Sequence, residues 1–447
     1  MRRLVTALCL TLALPQAFAT PTPEQARQLA EDAYVFAYAS AEHAKALNAI
    51  AARLPFNVLY SEPRLLGPND RNVVSPNNDT FYSRALLDLR AEPQVLDVPA
   101  IGSRYYSFQL VDLRTDNLGY VGTRATGTAA GRYLIAGPDW QGSLPEGFSG
   151  VIRSPSQLAL LLGRTEVRGD ADHEAAALLK QYRLSPLSRV LGRDAPAALP
   201  KLTLPPYTST KEGPASEAFV IFNALAPLHR WTPVEQARLE RFAAIGVGPG
   251  LTFAPPADIA QAVSQGAAAG RDRVKAASSN ISSERNGWYA SPLSAGHFGE
   301  DDLTRAAAAW RYIYVNDAAE ALYPIAIKDA EGQPLNGGKA YRLHFPADRL
   351  PPVNSFWSLT LYDAQTQLLV ANPLDRHALG DRSKSLRYDA DGGLTLYLQH
   401  AEPAAERRGN WLPAPAGAFN VILRLYLPKQ SALDGSYAVP AIEPVKE

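Results

Sequence analysis

The chain of 447 residues balances 44 basic against 44 acidic side chains and holds one cysteine, Cys9, and one methionine, Met1. An even charge lacks the basic surface that releases counterions from a nucleic-acid backbone, which excludes a nucleic-acid partner. Beyond residue 19 no stretch stays apolar for the roughly 20 residues that a membrane-spanning helix needs.

Residues 1–19 read as a cleavable secretory signal. Arg2 and Arg3 precede an apolar run over 4–14, Pro15 ends it, and Ala17 and Ala19 are the small residues of an Ala-Phe-Ala cleavage site. The expected location is the periplasm. Cleavage there removes both sulfur-bearing residues, so disulfides, thiolate nucleophiles and Cys-ligated metal centres are excluded from the mature chain. About 430 residues remain, enough for two domains that must rest on packed cores.

Residues 24–53 are Ala-rich with helical spacing, and Pro23 suits a first helical turn. A surface helix packed on the first sheet is expected. Residues 56–136 then alternate in short runs, clearest at 105–112 and 131–136, broken by Val98-Pro99 and Gly137-Pro138; this predicts an antiparallel sheet or sandwich. Helical spacing returns at 170–184 and across 215–320, in the segments 217–228, 234–244, 257–278 and 301–319, with Thr232-Pro233 as an N-cap and first-turn pair. Strands resume at 340–345, 355–362, 394–400 and 419–427. In the last of these, Phe419, Val421, Leu423, Leu425 and Leu427 share one face, with Asn420, Arg424 and Tyr426 on the other. The Asp- and Gly-rich stretches at 329–332, 336–338 and 389–393 are turns.

The expected class is α+β, mainly β: two antiparallel β-sandwich or jelly-roll-like modules joined by helices. The divisions are a signal at 1–19, an N-terminal helix and β module at 20–200, a helical connection at 201–320 and a C-terminal β-sandwich at 321–447. The run Asn72-Val-Val-Ser-Pro-Asn-Asn-Asp-Thr-Phe-Tyr-Ser83, followed by 122–135, resembles domain of unknown function 1254. Asn336-Gly-Gly-Lys-Ala-Tyr, Pro351-Pro-Val-Asn-Ser-Phe-Trp-Ser-Leu-Thr-Leu-Tyr362, Asn410-Trp-Leu-Pro-Ala-Pro415 and Leu423-Arg-Leu-Tyr426 resemble domain of unknown function 1214. The resemblance implies exported bacterial proteins of β-sandwich, jelly-roll-like architecture; the family names assign no activity.

Chemistry must then be sought in carboxylates, imidazole and amides. Asn77-Asn78-Asp79-Thr80 is the densest polar cluster, readable as a self-bonded turn or as amides and a carboxylate presented at a sheet edge, with Tyr82 beside them. In 105–112, Tyr106, Phe108, Leu110 and Asp112 share a face, so a carboxylate closes an apolar row and its pKa would rise as a general acid needs. Asp79 and Asp112, on different strands of one sheet, could form the acid/base pair of a hydrolase, or sit solvated at strand ends. His297, flanked by Gly296 and Gly299, is a loop imidazole open to a ligand or a cap for the helix that follows. The seven histidines form no closely spaced pair, so no metal site is expected, and no cofactor motif is present. Trp357 belongs to the core, whereas Trp411, in a Pro-rich loop, offers a stacking surface. Arg376 could hold a carboxylate or pair locally.

Together these assign Asp79, Asp112 and His297 to proton transfer. Asn77, Asn78, Tyr82, Tyr106, Arg376 and Trp411 would hold a polar small molecule or glycan. The rival expectation is a non-catalytic periplasmic ligand-binding or envelope assembly protein. Self-association into a homo-oligomer is compatible with either.

Overall fold

The computed structural model describes residues 21–71, 73–169, 172–207 and 211–445. The expected signal segment 1–19 lies outside them.

The class is α+β, with the β modules built mostly from antiparallel pairs. The N-terminal module is two sheets face to face. One runs Tyr60–Glu62, Thr80–Asp88, Leu158–Glu166, Tyr106–Val111 and Asn117–Gly122, antiparallel throughout. The other orders Gly150–Arg153, Gly131–Ala136, Gln94–Val98 and Arg183–Pro186. Alternation sends Phe81, Ala85, Leu87, Phe108, Leu110 and Leu161 inward from the first sheet, to meet Leu96, Val98, Tyr133 and Ile135 from the second.

The C-terminal module repeats the plan. A seven-stranded sheet centres on the paired strands Trp357–Asp363 and Phe419–Tyr426, and a four-stranded sheet on Tyr341–Phe345 and Leu394–Gln399. Trp357, Leu359, Leu361, Phe419, Val421, Leu423 and Leu425 fill the core between them, so Trp357 is core as the alternation indicates. The hairpin Ser283–Arg285 and Trp288–Ala290, counted with the helical connection in the sequence, pairs through Ile325–Ala326 into the larger sheet. The seven-stranded sheet therefore reaches back past residue 321.

The remaining helices pack on one another around a core of their own. Helix Pro23–Ala51 starts with a capping box, Thr22 to Gln25, and helix Pro233–Phe242 with another, Thr232 to Glu235. The first helix is not a surface helix. Every residue from 33 to 44 is buried, against Glu217–Leu225, Ala260–Asn280 and Asp302–Tyr312. Its alanines permit this: a side chain of one carbon lets a second helix approach closely. The closest approach is at Gly266 and Gly270, where an added Cβ would lie 2.1 Å from the Arg27 carbonyl oxygen and 2.7 Å from Tyr34 Cβ. Helix Asp302–Tyr312 ends short of the 319 expected, and Tyr314 takes a φ of 63° that breaks the helical path.

Candidate functional site

The polar faces of the central strands are not open to water. All eight residues of Phe419–Tyr426 are buried, and so are Ser358, Thr360 and Tyr362 on the neighbouring strand. Their polar side receives residues 75–79 of the N-terminal module. Tyr362 donates its hydroxyl to the Pro76 carbonyl oxygen at 2.7 Å, and Arg424 bonds Tyr362 Oη at 2.7 Å and the Ser75 carbonyl oxygen at 3.2 Å. Asp79 is the knot. Its Oδ2 accepts from Ser358 Oγ at 2.5 Å and Tyr426 Oη at 3.2 Å, and its Oδ1 accepts from Arg382 Nη2 at 2.8 Å. Asn77 donates to Tyr426 Oη at 2.7 Å and accepts the Asp79 N–H at 2.7 Å. The Pro-Asn-Asn-Asp turn is thus both a turn and a clasp between modules.

Aromatic packing seals this end. Arg382 lies 3.6 Å over the Phe356 ring, and Phe356 stacks on Tyr426 at 4.1 Å between centroids. Burial raises the phenols of Tyr105, Tyr362 and Tyr426, so they stay protonated and serve as hydrogen-bond donors. Tyr105 Oη donates to Glu320 at 2.8 Å, and Arg124 Nε bonds the other oxygen of Glu320 at 2.6 Å.

Further along the seam, Arg164 bonds Gln109 Oε1 at 3.0 Å and Asn316 Oδ1 at 3.3 Å, with Tyr82 beneath it at 5.6 Å. Asn316 donates to Tyr323 Oη at 2.5 Å. Asn316 and Tyr323 also form the polar wall of a cleft of about 280 Å³. The rest of its lining is chiefly apolar and aromatic, including Trp288, Leu293, Leu425, Tyr437 and Val439, with Ser283 and Arg285 at the hairpin. Beside the seam, His297 Nε2 sits 2.9 Å from Asp317 Oδ1, and Asn117 Nδ2 reaches the same oxygen at 2.8 Å. His297 remains 59% exposed at its side chain.

Asp79 and Asp112 do not converge. Their strands flank the shared strand Leu158–Glu166, each antiparallel to it; Asp79 precedes the pair Thr80–Glu166, and Asp112 follows the pair Val111–Leu160. At about 3.3 Å per residue the two carboxylates stand roughly 26 Å apart along the strands, beyond the ~5–9.5 Å separation of a glycosidase pair. Asp112 is buried in its own turn, accepting the N–H groups of Arg114 at 2.8 Å and Asp116 at 3.0 Å. Burial, with Asp116 adding to it, pushes its carboxyl up to about 7. The expected direction of that shift holds, at a place built from turn hydrogen bonds and helix contacts.

Three expected ligand contacts are structural. Tyr106 belongs to the sandwich core and donates to the Gly127 carbonyl oxygen at 3.2 Å. Trp411 is 3% exposed and donates from Nε1 to the Gln399 carbonyl oxygen, because the Pro-rich segment pairs as a strand instead of looping outward. Arg376 clamps the Arg408 and Trp411 carbonyl oxygens at 2.9 and 2.8 Å. Asn78 ties back to the Leu66 carbonyl oxygen, while Tyr82 keeps its place at the seam, half-buried. Of the expected residues, Asn77, Asp79 and Tyr82 lie along the seam, and His297 lies at its edge.

The sequence reasoning missed Arg164, Gln109, Asn316, Tyr323, Ser358 and Arg382. Their signal was present in part: a cation two residues beyond the apolar run 158–162, and the polar alternation of Ser358, Thr360 and Tyr362. Among the described residues, no group of three His, Cys, Asp or Glu side chains is placed to hold a metal. No helix among them is long and apolar enough to cross a membrane.

Two family models match the chain. Residues 56–186 match a protein of unknown function (DUF1254), and residues 320–430 match a protein of unknown function (DUF1214). No curated protein matches significantly. Among solved structures, the VPA0106 protein from Vibrio parahaemolyticus is similar at 26% identity and a TM-score of 0.76, over 94% of this chain and 100% of that one. An uncharacterized protein from Burkholderia cenocepacia aligns over 94% of both chains at 14% identity, with a TM-score of 0.47. The clasp at Asp79 joins the segment that carries the first match to strands that carry the second. The chain therefore belongs to the proteins that pair a DUF1254 module with a following DUF1214 module.

Proposed function

We propose that this is an exported periplasmic protein that binds a small molecule, apolar in body and polar at one end, in a cleft of its C-terminal module beside the junction with the N-terminal one. The observation that carries the reading is the cleft of about 280 Å³, mostly apolar and aromatic, with Asn316 and Tyr323 as its polar wall. That volume and lining are those of a small-ligand site, in which a few polar groups orient an otherwise apolar guest. Export rests on the signal read at residues 1–19. A screen of metabolites and glycans against the mature protein tests binding, since a ligand that prefers the native state raises the melting temperature by mass action. Ligands that stabilise the wild type and lose that effect in Tyr323→Phe and Asn316→Ala support the reading; a screen without any stabilising compound contradicts it.

A second reading, hydrolysis, is favoured by one observation, the His297–Asp317 contact at 2.9 Å. A carboxylate that fixes an exposed imidazole is the arrangement a general base requires. Product mass separates the two: turnover abolished by His297→Asn identifies an enzyme, and intact ligand recovered after incubation identifies a binder.

A further inference from the structure

We propose that the free edge of the Arg164 guanidinium is a carboxylate-recognition site inside the seam, across Asn316 from the cleft and independent of whether the cleft is occupied. Arg164 is 8% exposed, yet among the described residues no carboxylate lies within ion-pairing distance of it. Neighbouring cations are matched: Arg382 by Asp79, Arg124 by Glu320, Arg168 by Glu166 and Arg104 by Asp172. Arg424 also lacks a carboxylate, but both of its Nη nitrogens are taken up, by Thr360, Ser75 and Tyr362. A guanidinium cannot shed its proton, so burying one without an anion is costly.

The geometry says which anion fits. Arg164 spends Nη1 on the amide oxygens of Gln109 and Asn316, both neutral. Nε and Nη2 have no hydrogen-bond acceptor among the described residues, and they differ from the enclosed Arg114 Nε and Arg305 Nε in not being sealed from solvent. Those two N–H groups point the same way and form the side-on fork that takes both oxygens of a carboxylate. The Tyr82 ring lies beneath the guanidinium, and Tyr323 flanks it, its phenol kept protonated by burial. Asp317 and Glu320, on the segment that carries Asn316, are already held by His297 and Arg124. The guest that completes the site is a small molecule with one carboxylate and a short planar or aliphatic body.

The test compares acetate and benzoate with acetamide and benzamide at constant ionic strength, read by thermal shift and by titration calorimetry on wild type, Arg164→Gln, Arg164→Lys and Tyr82→Phe. Carboxylates should bind and their amides should not. Arg164→Gln should weaken binding about tenfold or more, and Arg164→Lys should fail to restore it because a point charge replaces the fork. Should the Arg164 variants not fold, a wild-type crystal soaked in 4-bromobenzoate decides, with the bromine located by anomalous scattering. Its carboxylate against Arg164 Nε and Nη2 supports the assignment. Equal binding of carboxylates and amides, binding unchanged in a folded Arg164→Gln, or bromine only elsewhere overturns it.

Discussion

Asp79→Ala should loosen the joint between the modules and cost far more than a surface turn would. The carboxylate accepts three side-chain donors from the C-terminal module: Ser358, Tyr426 and Arg382. Removing it leaves Arg382 with the longer contact to Glu166, at 3.8 Å, as its remaining ion pair among the described residues. Breaking a buried pair from one side costs about 3–5 kcal/mol. At about 2–4 °C per kcal/mol for a unit of 150–250 residues, the melting temperature should fall by roughly 6–20 °C. The turn itself should survive, since Asn77 and not Asp79 bonds its amide. Differential scanning calorimetry of Asp79→Ala, Tyr426→Phe and the double variant measures the effect. A coupling of at least about 0.5 kcal/mol between the two sites is expected, as for groups in one network. A fall of less than about 1 °C, or strict additivity, would refute the clasp.

Asp112→Asn should change the pH profile of stability. With the native carboxyl raised to about 7 by burial, the folded state holds a proton that the unfolded state releases near 4, so this group's contribution is full at low pH and is lost as pH rises to about 7. Urea unfolding at pH 4.5 and 8 should show a smaller loss toward pH 8 in the variant; an unchanged profile contradicts the shift. His43 and His229 act in the opposite sense. Burial lowers both to about 4, so their contribution is lost as pH falls from about 6.5 toward 4, and replacing both with Asn should flatten acid destabilisation over that window. Gly270→Ala, which in an exposed helix would stabilise by up to about 1 kcal/mol, should instead destabilise by about 1–3 kcal/mol, because the new methyl meets Tyr34 Cβ at 2.7 Å. Thermal unfolding decides its sign.

The strand pattern was largely legible because alternation is a local property; 131–136 and 394–399 fall where the sequence puts them. What alternation cannot say is what lies against the polar face. Asn420, Arg424 and Tyr426 read only as the face opposite the apolar one, and that face is covered, at Arg424 and Tyr426 by residues 75–79 of the other module and at Asn420 by Gln367. The same ambiguity hid the first helix, since alanine suits a solvated face and a tight crossing equally. Trp411 was misplaced because Pro-rich flanks suggest a loop, while a parallel pairing of 411–413 with 397–399 depends on distant residues. Arg164 could not be found from neighbours in sequence. Its meaning comes from Gln109, Asn316 and Tyr323, more than fifty positions away on either side.

The most direct measurement is a crystal structure of the mature protein with the compound that stabilises it most in the screen. Binding in the cleft predicts an intact molecule between the 283–290 hairpin and residues 432–439, its polar end against Asn316 or Tyr323. Density confined to another surface, or a cleaved product beside His297, would contradict it.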